Sequence, residues 1–485
     1  MGIAFIPIII KNLGVEAYGL IGVYAMLQMW FSLLDMGMTP TLGREMARYT
    51  SGAHTAKSIR DLLRSLEVVC FIAALLIGFV IWLSSNWLAT NWLQLDKLSV
   101  ADVSHAISII ALVVAMRFIE GLYRGALVGL QRQVSLNMVS AVMATLRWGG
   151  VVCILIWVAP SLEAFFIWQA LVSVATTLIF IFILYSNLPG KNKSGNFSWI
   201  ELKRIKMFAG GMMMQTLLTL MLTQIDKIML SRFLSLEMFG YYTLAATFAN
   251  ILIQMVSPIT LAHLPRFTEL VTKGDSQLLI KLYHQAAQLV SVLISTGAFI
   301  FIYFGADIIL IWGGDTQLAN NVSPILALLA LGTMLNGLMH IPYMLTLAYG
   351  WAGFFVRVNV VAVIILVPVI FWIAPIYGAI GVSWVWIILN IGYLLIAARF
   401  MYKKVMQTEM WRWYWCDIIK PITTAFLIAT TLELINPSFS TIIHDLLWLL
   451  LSGLCILLGS ALSAPTLRKG VINLASFKPR GNIVQ

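Results

Sequence analysis

Residues 11–19 read KNLGVEAYG, and residues 232–240 read RFLSLEMFG. A basic residue, a leucine, a glutamate, an aromatic residue and a glycine recur at identical spacing, 221 positions apart. A second pair of segments, 137–142 and 359–363, begins with asparagine in both copies and is offset by 222. The two matches predict a duplication in which the first six helices correspond to the next six. The alternative is convergent turn chemistry, since glycine suits turns and a carboxylate near a helix start favours the helix dipole.

The composition predicts a membrane protein. Of its 485 residues 60% are hydrophobic and 11% are charged, whereas soluble domains carry about 25% charged residues. The net charge of +11 is expected to come from cytoplasmic loops rather than from a nucleic-acid surface. The four cysteines lie far apart, and the sequence shows no metal-ligand spacing, nucleotide loop or Ser/His/Asp set. We therefore expect no metal, no cofactor and no nucleic-acid partner.

Apolar segments bounded by charged or turn-forming residues predict an all-α polytopic membrane protein with about fourteen transmembrane helices. The first segment is only half a span, because ten helical residues rise about 15 Å. Its match to the end of helix 7 predicts that the inner half of helix 1 is encoded upstream of Met1. The predicted segments are 1–10, 18–42, 63–84, 103–130, 135–158, 162–186, 206–232, 238–264, 279–304, 322–348, 355–373, 378–402, 418–435 and 443–463.

The basic residues predict the orientation. With the N-terminus in the cytoplasm, the cytoplasmic segments hold 25 lysines and arginines and three lie within helices. The external segments then hold only Lys11, Lys97 and Arg232. This bias predicts that both termini are cytoplasmic. No external loop exceeds about 20 residues, so we do not expect an external catalytic domain.

Two long cytoplasmic linkers, 187–203 and 402–417, suggest the domain boundaries. We predict an N-lobe over residues 1–200 with helices 1–6 and a C-lobe over 201–404 with helices 7–12. Residues 405–485 then hold two further helices and a basic tail. Because six crossings restore the same orientation, the two lobes are predicted to be parallel repeats about an axis along the membrane normal.

Motifs in a fixed order carry a family resemblance. They are LGVEAYGL (13–20), FSLLDMG (31–37), REMAR (44–48), GLYRGALVGLQRQVSLN (121–137), QIDKIMLSRFLSLEMFGYYTLA (224–245), LIWGG (310–314) and LALLALGTMLNGLMHIPYMLTLAYG (326–350). Over residues 1 to about 400 the chain resembles the O-antigen and polysaccharide-lipid flippases, the polysaccharide transporter branch of the MOP superfamily. It departs from many members by two additional C-terminal helices and by a shorter segment before FIPIII.

The resemblance implies two six-helix lobes in a V around a central cavity. It implies export of an undecaprenyl-diphosphate-linked oligosaccharide across the bacterial inner membrane by alternating access, coupled to Na⁺ or H⁺. The implied partners are the lipid-linked glycan, membrane lipids and polysaccharide polymerase machinery. The implied protein is a transporter and not an enzyme.

Charges inside membrane helices are costly and are therefore candidates for function. Arg117, Glu120 and Arg124 lie at i, i+3 and i+7 on one predicted helix, and Gln131 lies seven residues further, which places all four on one face. Arg147 lies deep in the following helix without a local acidic partner. We expect the three arginines to line the cavity and bind a diphosphate, because guanidinium binds phosphate oxygens bidentately. The alternative is that Glu120 neutralises its neighbours and the group only joins helices.

Further candidates match family motifs. Asp226 and Lys227 form an acidic–basic pair on helix 7, where Lys227 either contacts substrate or snorkels to the interface. Asp35 is expected to take part in coupling or charge pairing, to pair with Arg44 or to cap a helix. His340 is a candidate for proton coupling, with a hydrogen-bonded structural role as the alternative.

Two other functions remain open at this point. A MATE-like exporter of cationic drugs would need an acidic cavity, which the three deep cations disfavour. A membrane polysaccharide polymerase or ligase commonly carries a large external loop, which the short loops disfavour.

Overall fold

The structure, a computed structural model, describes residues 2–35, 37–50, 52, 54–188, 195–351, 353–436 and 442–468. Within these ranges every named element is a helix, and the only extended pairing is an isolated bridge between Gln94 and Ser235. The predicted all-α class is therefore confirmed. The predicted basic tail after residue 468, and Lys191 and Lys193 of the first linker, lie outside the described residues.

The chain divides into two compact units, Met1–Gly240 and Tyr241–Gln485. The division falls forty residues after the predicted boundary at 200, because α8 packs on α2 and α4 of the first unit. The lobes inferred from the repeat stay a prediction. The first unit contains α1 (Gly2–Leu13), α2 (Val15–Phe31), α3 (Met38–Thr50), α4 (Ala56–Trp87), α5 (Val100–Gly129), α6 (Gln133–Trp157), α7 (Leu162–Asn187) and α8 (Trp199–Phe233).

The second unit contains most of α9 and all later helices. Its long α10 packs against α11, α16 and α17. Short π-helical turns follow α4, α13 and α15, the last of them Trp413–Ile419. The helices are α9 (Leu236–Lys273), α10 (Ser276–Gly313), α11 (Thr316–Leu338), α12 (His340–Ala348), α13 (Gly353–Gly392), α14 (Ala398–Val405), α15 (Met410–Arg412), α16 (Lys420–Ile435) and α17 (Ile442–Ser463).

Within the described residues, eleven helical segments are long and apolar enough to cross a membrane, or twelve if the bent α8 is one span. One of them, Gly353–Val405, has 53 residues. At 1.5 Å per residue it is about 80 Å long, more than twice a bilayer core of about 30 Å. Its backbone leaves the helical region at Gly378 (φ 53°, ψ −142°), where the sequence predicted two helices. Together with the short α1, the segments agree with the predicted number of about fourteen.

One predicted helix is wrong. Residues 18–42 form two helices, because the chain passes through a 3₁₀ turn at Ser32–Asp35 and Gly37 adopts φ +72°. A Cβ at Gly37 would lie 2.6 Å from the carbonyl oxygen of Ala209. This close approach of α8 and the left-handed backbone both require glycine.

Exposed apolar side chains identify the lipid-facing surface. The outer face of α4 between Phe71 and Leu83 carries large apolar side chains that are more than half exposed, apart from Val80 at 44%. Such a continuous apolar face is expected in contact with lipid and not with water. The opposite face of α4 packs into the core of the first unit through Leu62, Leu66 and Cys70.

Candidate functional site

The central feature of the candidate site is one carboxylate shared by two arginines on α5. Glu120 is 2% exposed. Its Oε2 lies 3.6 Å from Arg117 Nη1 and its Oε1 lies 3.2 Å from Arg124 Nη1. These three residues share one face, as expected from i, i+3 and i+7 spacing. The prediction is wrong for Gln131, because α5 ends at Gly129 and Gln131 has a φ of 58°. One carboxylate between two guanidinium groups leaves an excess of positive charge.

Arg117 retains hydrogen-bonding capacity. Its side chain is 24% exposed, yet its Nε is buried and has no hydrogen-bond partner among the described residues. Buried polar groups in folded proteins are almost always paired. An unpaired guanidinium donor is thus available to an incoming acceptor.

Arg117 and Asp35 line one cavity in the first unit, with a volume of about 350 Å³. This volume lies at the lower end of the range for small-molecule sites, about 300–1,000 Å³. Its walls come from α2 and the following 3₁₀ turn, α3, α5 and α8. The remaining lining residues are Gln28, Met29, Phe31, Ser32, Thr39, Pro40, Val114, Phe118, Gly121 and Thr216.

Glycines on α5 bring α3 to this cavity. A Cβ at Gly125 would lie 2.5 Å from the carbonyl oxygen of Thr39, and a Cβ at Gly129 would lie 2.1 Å from that of Gly43. Small residues four positions apart allow two helix backbones to approach this closely in membranes. The glycines at 121, 125 and 129 in GLYRGALVG have the spacing that predicts such a contact. In the sequence analysis above, this segment served only as a family motif.

Asp35 caps α3. Both carboxylate oxygens accept a hydrogen bond from the Thr39 backbone N–H (3.2 and 3.1 Å), and Oδ1 also accepts from the Thr39 hydroxyl (2.8 Å). The structure therefore realises the predicted capping role. Arg44, the predicted alternative partner, instead lies 3.5 Å from Glu45.

Arg147 is buried between α6 and α7, with only 4% of its surface exposed. Its Nη1 donates to the Ser173 hydroxyl at 3.1 Å and to Gln169 Oε1 at 3.5 Å. In the part of the chain that the structure describes, no acidic side chain forms an ion pair with it. Arg117, Glu120 and Arg124 lie within electrostatic range of Arg147, so the charges of α5 and α6 act on one region.

The other predicted residues lie elsewhere. Lys227 Nζ donates to the carbonyl oxygen of Thr223 (3.2 Å) and to Gln224 Oε1 (3.0 Å) on its own helix α8. Asp226 is half-buried beside it. His340 is half-buried at the start of α12 in the second unit.

Sequence reasoning missed a buried polar group in the second unit. His284 on α10 contacts Glu409 and Asp417. These contacts join residues 125 and 133 positions apart, and no local spacing rule connects them. The only sequence signal is an aspartate three residues before the apolar α16.

The first-unit arrangement suits an anion. Three guanidinium groups face two carboxylates, one of which, Asp35, is already engaged in capping. Arg117 offers an unpaired donor, and the site lies within helices whose outer surfaces are apolar. Guanidinium groups are well suited to phosphate oxygens because their planar donors bind bidentately.

Comparison with known proteins agrees with this fold. The family model described as "Polysaccharide biosynthesis protein" matches residues 1–271. A Shigella flexneri protein assigned as an O-antigen transporter is 19% identical over 378 residues, which cover 78% of this chain and 87% of that protein. This relative and the family model describe sequence similarity and not a measured activity of this chain.

Two solved structures share the fold. The lipid II flippase MurJ in an inward closed conformation matches with a TM-score of 0.71 and 11% identity, covering 97% of this chain and 98% of that one. An inward-facing multidrug resistance MATE transporter of the MOP superfamily matches with a TM-score of 0.69 and 13% identity, covering 84% and 94%. Because the family model covers more than half of the chain, this multi-pass membrane protein belongs to the polysaccharide biosynthesis protein family and has the fold of the MOP superfamily flippases.

Proposed function

We propose that this protein translocates an oligosaccharide linked to undecaprenyl diphosphate across the bacterial inner membrane by alternating access. In this proposal both termini are cytoplasmic, and the glycan is then passed to polysaccharide polymerase machinery. Arg117, Arg124 and Arg147 bind the diphosphate, while Glu120 holds the first two arginines in place. Lys227 contacts the glycan or anchors α8 at the interface.

The observation that carries the proposal is the excess of positive charge at this one site, where Arg147 is buried, Arg117 is half-buried and Arg124 is exposed around the single carboxylate of Glu120. A diphosphate cannot cross a bilayer core without compensating charge, because an ion in hydrocarbon loses its hydration. Arg147 has no acidic partner among the described residues, and Arg117 keeps an unpaired donor. Isolated buried cations are expensive, so they are expected where an anionic ligand offsets the cost.

Coupling to Na⁺ or H⁺ belongs to the same proposal. Asp35, Glu120, Asp226 and His340 are the candidate coupling or charge-pairing groups. Among them, Glu120 is tied directly to two of the proposed diphosphate ligands, so a change in its charge would alter the charge of the site.

The test is complementation of a strain that lacks its own flippase. Arg117→Gln and Arg147→Gln should each reduce surface polysaccharide at least about tenfold, since a charged hydrogen bond to phosphate contributes about 1.5–3 kcal/mol. Protein level and membrane insertion, read from a fluorescent C-terminal fusion, should not change. Arg132→Gln is the matched control, because Arg132 is exposed just after α5 and should complement normally.

Different outcomes separate the alternatives. Accumulation of an undecaprenyl-diphosphate oligosaccharide in the deletion strain supports the proposal, and full complementation by both arginine variants contradicts it. Drug efflux that rises with expression would favour a MATE-like exporter. Polymerised but unexported glycan in the deletion strain would exclude a polymerase.

A further inference from the structure

A histidine of α10 lies between two carboxylates in the interior of the second unit. His284 and Asp417 are both 0% exposed, and His284 Nδ1 contacts Asp417 Oδ2. On the other side of the ring, Nε2 lies 2.9 Å from Glu409 Oε2. The proposed transport function uses none of these three residues.

Counting protons shows what this geometry requires. An ionised carboxylate only accepts hydrogen bonds, and the unprotonated nitrogen of a neutral imidazole also only accepts. Two nitrogen–oxygen contacts therefore need two shared protons, whereas a neutral imidazole supplies one. The cluster must hold one additional proton, either on the ring as imidazolium or on one of the two carboxyl groups.

This cluster joins the C-terminal helices to α10. Gln288, one turn after His284, donates from Nε2 to Asp417 Oδ1 at 2.7 Å. Its Oε1 accepts from the backbone N–H of Thr466 at 2.9 Å and from the Thr466 hydroxyl. Asp417 lies three residues before α16, in the π-helical turn Trp413–Ile419, and Thr466 lies three residues after the end of α17. Both ends of the C-terminal helix pair are thus bound to the same turn of α10.

The charged surroundings of the cluster are limited. Arg412 lies 3.4 Å from Glu409, and the Tyr283 ring contacts His284 edge-on with ring centroids 5.5 Å apart. The phenol of Tyr283 bonds to that of Tyr402. Of the helices packed on α10, α11 carries no acidic or basic side chain. Further titratable side chains on α10 itself and on neighbouring elements include Lys281, His340, Tyr343, Arg399, Lys403, Lys404, Tyr414, Lys420 and Arg468.

The geometry does not suit a metal ion. The two carboxylates lie on opposite nitrogens of one ring, so a single ion cannot be bound by both. In the described ranges no group of three or more His, Cys, Asp or Glu residues has a metal-binding arrangement.

We infer that His284, Glu409 and Asp417 form a proton-binding site that holds the C-terminal helices α16 and α17 on α10 while the proton is bound. The proton comes from hydronium, enters through Glu409, the one partly exposed member of the cluster (side chain 16% exposed), and leaves water behind. When the proton is lost, one of the two nitrogen–oxygen contacts places two hydrogen-bond acceptors against each other with no proton between them. The segment around 409–417 then loosens, because a buried acceptor facing another acceptor is destabilising.

This inference does not depend on what the protein transports. It predicts that the attachment of the C-terminal helices is strong at mildly acidic to neutral pH and weakens as pH rises.

The test is hydrogen–deuterium exchange of the full-length protein in lipid nanodiscs, corrected for the chemical exchange rate at each pH. Between about pH 6 and about pH 9, peptides covering 409–420 should lose protection in the wild type. Glu409→Gln supplies an amide N–H to the unprotonated Nε2, so the extra proton is no longer needed. In this variant the protection should persist at the higher pH.

Two further variants complete the test. His284→Gln removes the titrating ring and should abolish the pH step. His263→Gln is the matched control, since His263 bonds to the Ile259 carbonyl oxygen (2.7 Å) and contacts the Phe267 ring on its own helix and should leave the step unchanged. A wild type without the step, or a Glu409→Gln variant that retains it, would overturn the inference even if His284→Gln fails to fold.

Discussion

Gly19 and Gly240, which occupy equivalent positions in the two similar sequence motifs, lie at a close crossing of α2 and α9. A Cβ at Gly19 would lie 2.1 Å from the carbonyl oxygen of Leu236, and a Cβ at Gly240 would lie 2.6 Å from that of Val15. Each glycine thus admits the backbone of the other copy. Glycine is therefore required at this position of both motifs because the helix backbones approach closely, and not only because glycine favours turns.

We expect Gly19→Ala and Gly240→Ala each to destabilise the protein by about 1–3 kcal/mol, the usual range for overpacking. The added methyl group meets backbone atoms, which cannot rotate away. Thermal unfolding in detergent is the measurement. Gly149→Ala on α6 is the control, because no atom lies within 4 Å of its added Cβ, and equal unfolding temperatures for all three variants would contradict the explanation.

The two glutamates of the repeat have different environments. Glu16 is buried and accepts hydrogen bonds from the backbone N–H groups of Asp96, Lys97 and Leu98 at 2.8, 2.8 and 3.0 Å. Glu237 instead pairs with the exposed Lys97 side chain at 2.7 Å. Glu16→Gln should destabilise by about 1.5–3 kcal/mol, whereas Glu237→Gln should cost less than about 1 kcal/mol. Chemical unfolding of both variants checks the contrast, and a larger effect at Glu237 would refute it.

The glycine contact between α3 and α5 should matter for transport. Gly129→Ala places a methyl group 2.1 Å from the Gly43 carbonyl oxygen, so α3 must move away and Asp35 and Thr39 with it. We expect reduced polysaccharide export at normal protein level, measured in the complementation assay. Gly149→Ala should export normally, and equal export by Gly129→Ala would show that the cavity tolerates a displaced α3.

Arg117→Lys separates charge from donor geometry. Lysine keeps the positive charge but cannot offer the planar, bidentate donors of guanidinium. Export should therefore fall between that of the wild type and that of Arg117→Gln. If Arg117→Lys exports as well as the wild type, the site needs charge alone.

The segment before α15 should respond to acid. Burial opposes ionisation of Glu409, but the hydrogen bond and charge of His284 together with Arg412 outweigh it and lower its pKa. A lowered carboxyl pKa contributes stability that is complete above the ordinary glutamate pKa of about 4.3 and is lost as the pH falls through the lowered value. Glu409→Gln should reduce the loss of stability at acidic pH, measured as the unfolding temperature over a series of pH values. The same loss of stability in the wild type and in Glu409→Gln would contradict this prediction.

Much of the fold followed from local pattern. The bounds of the predicted helices 135–158 and 162–186 differ by at most two residues from those of α6 and α7. This agreement arises because the apolar runs and the turn residues that set these bounds are local features of the sequence. The stripe of Arg117, Glu120 and Arg124 was predictable for the same reason, since helical spacing alone places these side chains on one face.

The tertiary structure decided which residues far apart in the sequence come into contact. The break between α2 and α3 depends on the close approach of α8 at Gly37, which the apolar run 18–42 does not reveal. Arg147 donates hydrogen bonds to Gln169 and Ser173, which lie on the next helix. His284 contacts Asp417, which is 133 positions away in the sequence. The sequence by itself determined the membrane class, the helices and which charges share a helix face, because these depend on neighbours along the chain. Which charges are neutralised, which remain available and where a proton must be held depend on packing between helices, and only the tertiary structure settles them.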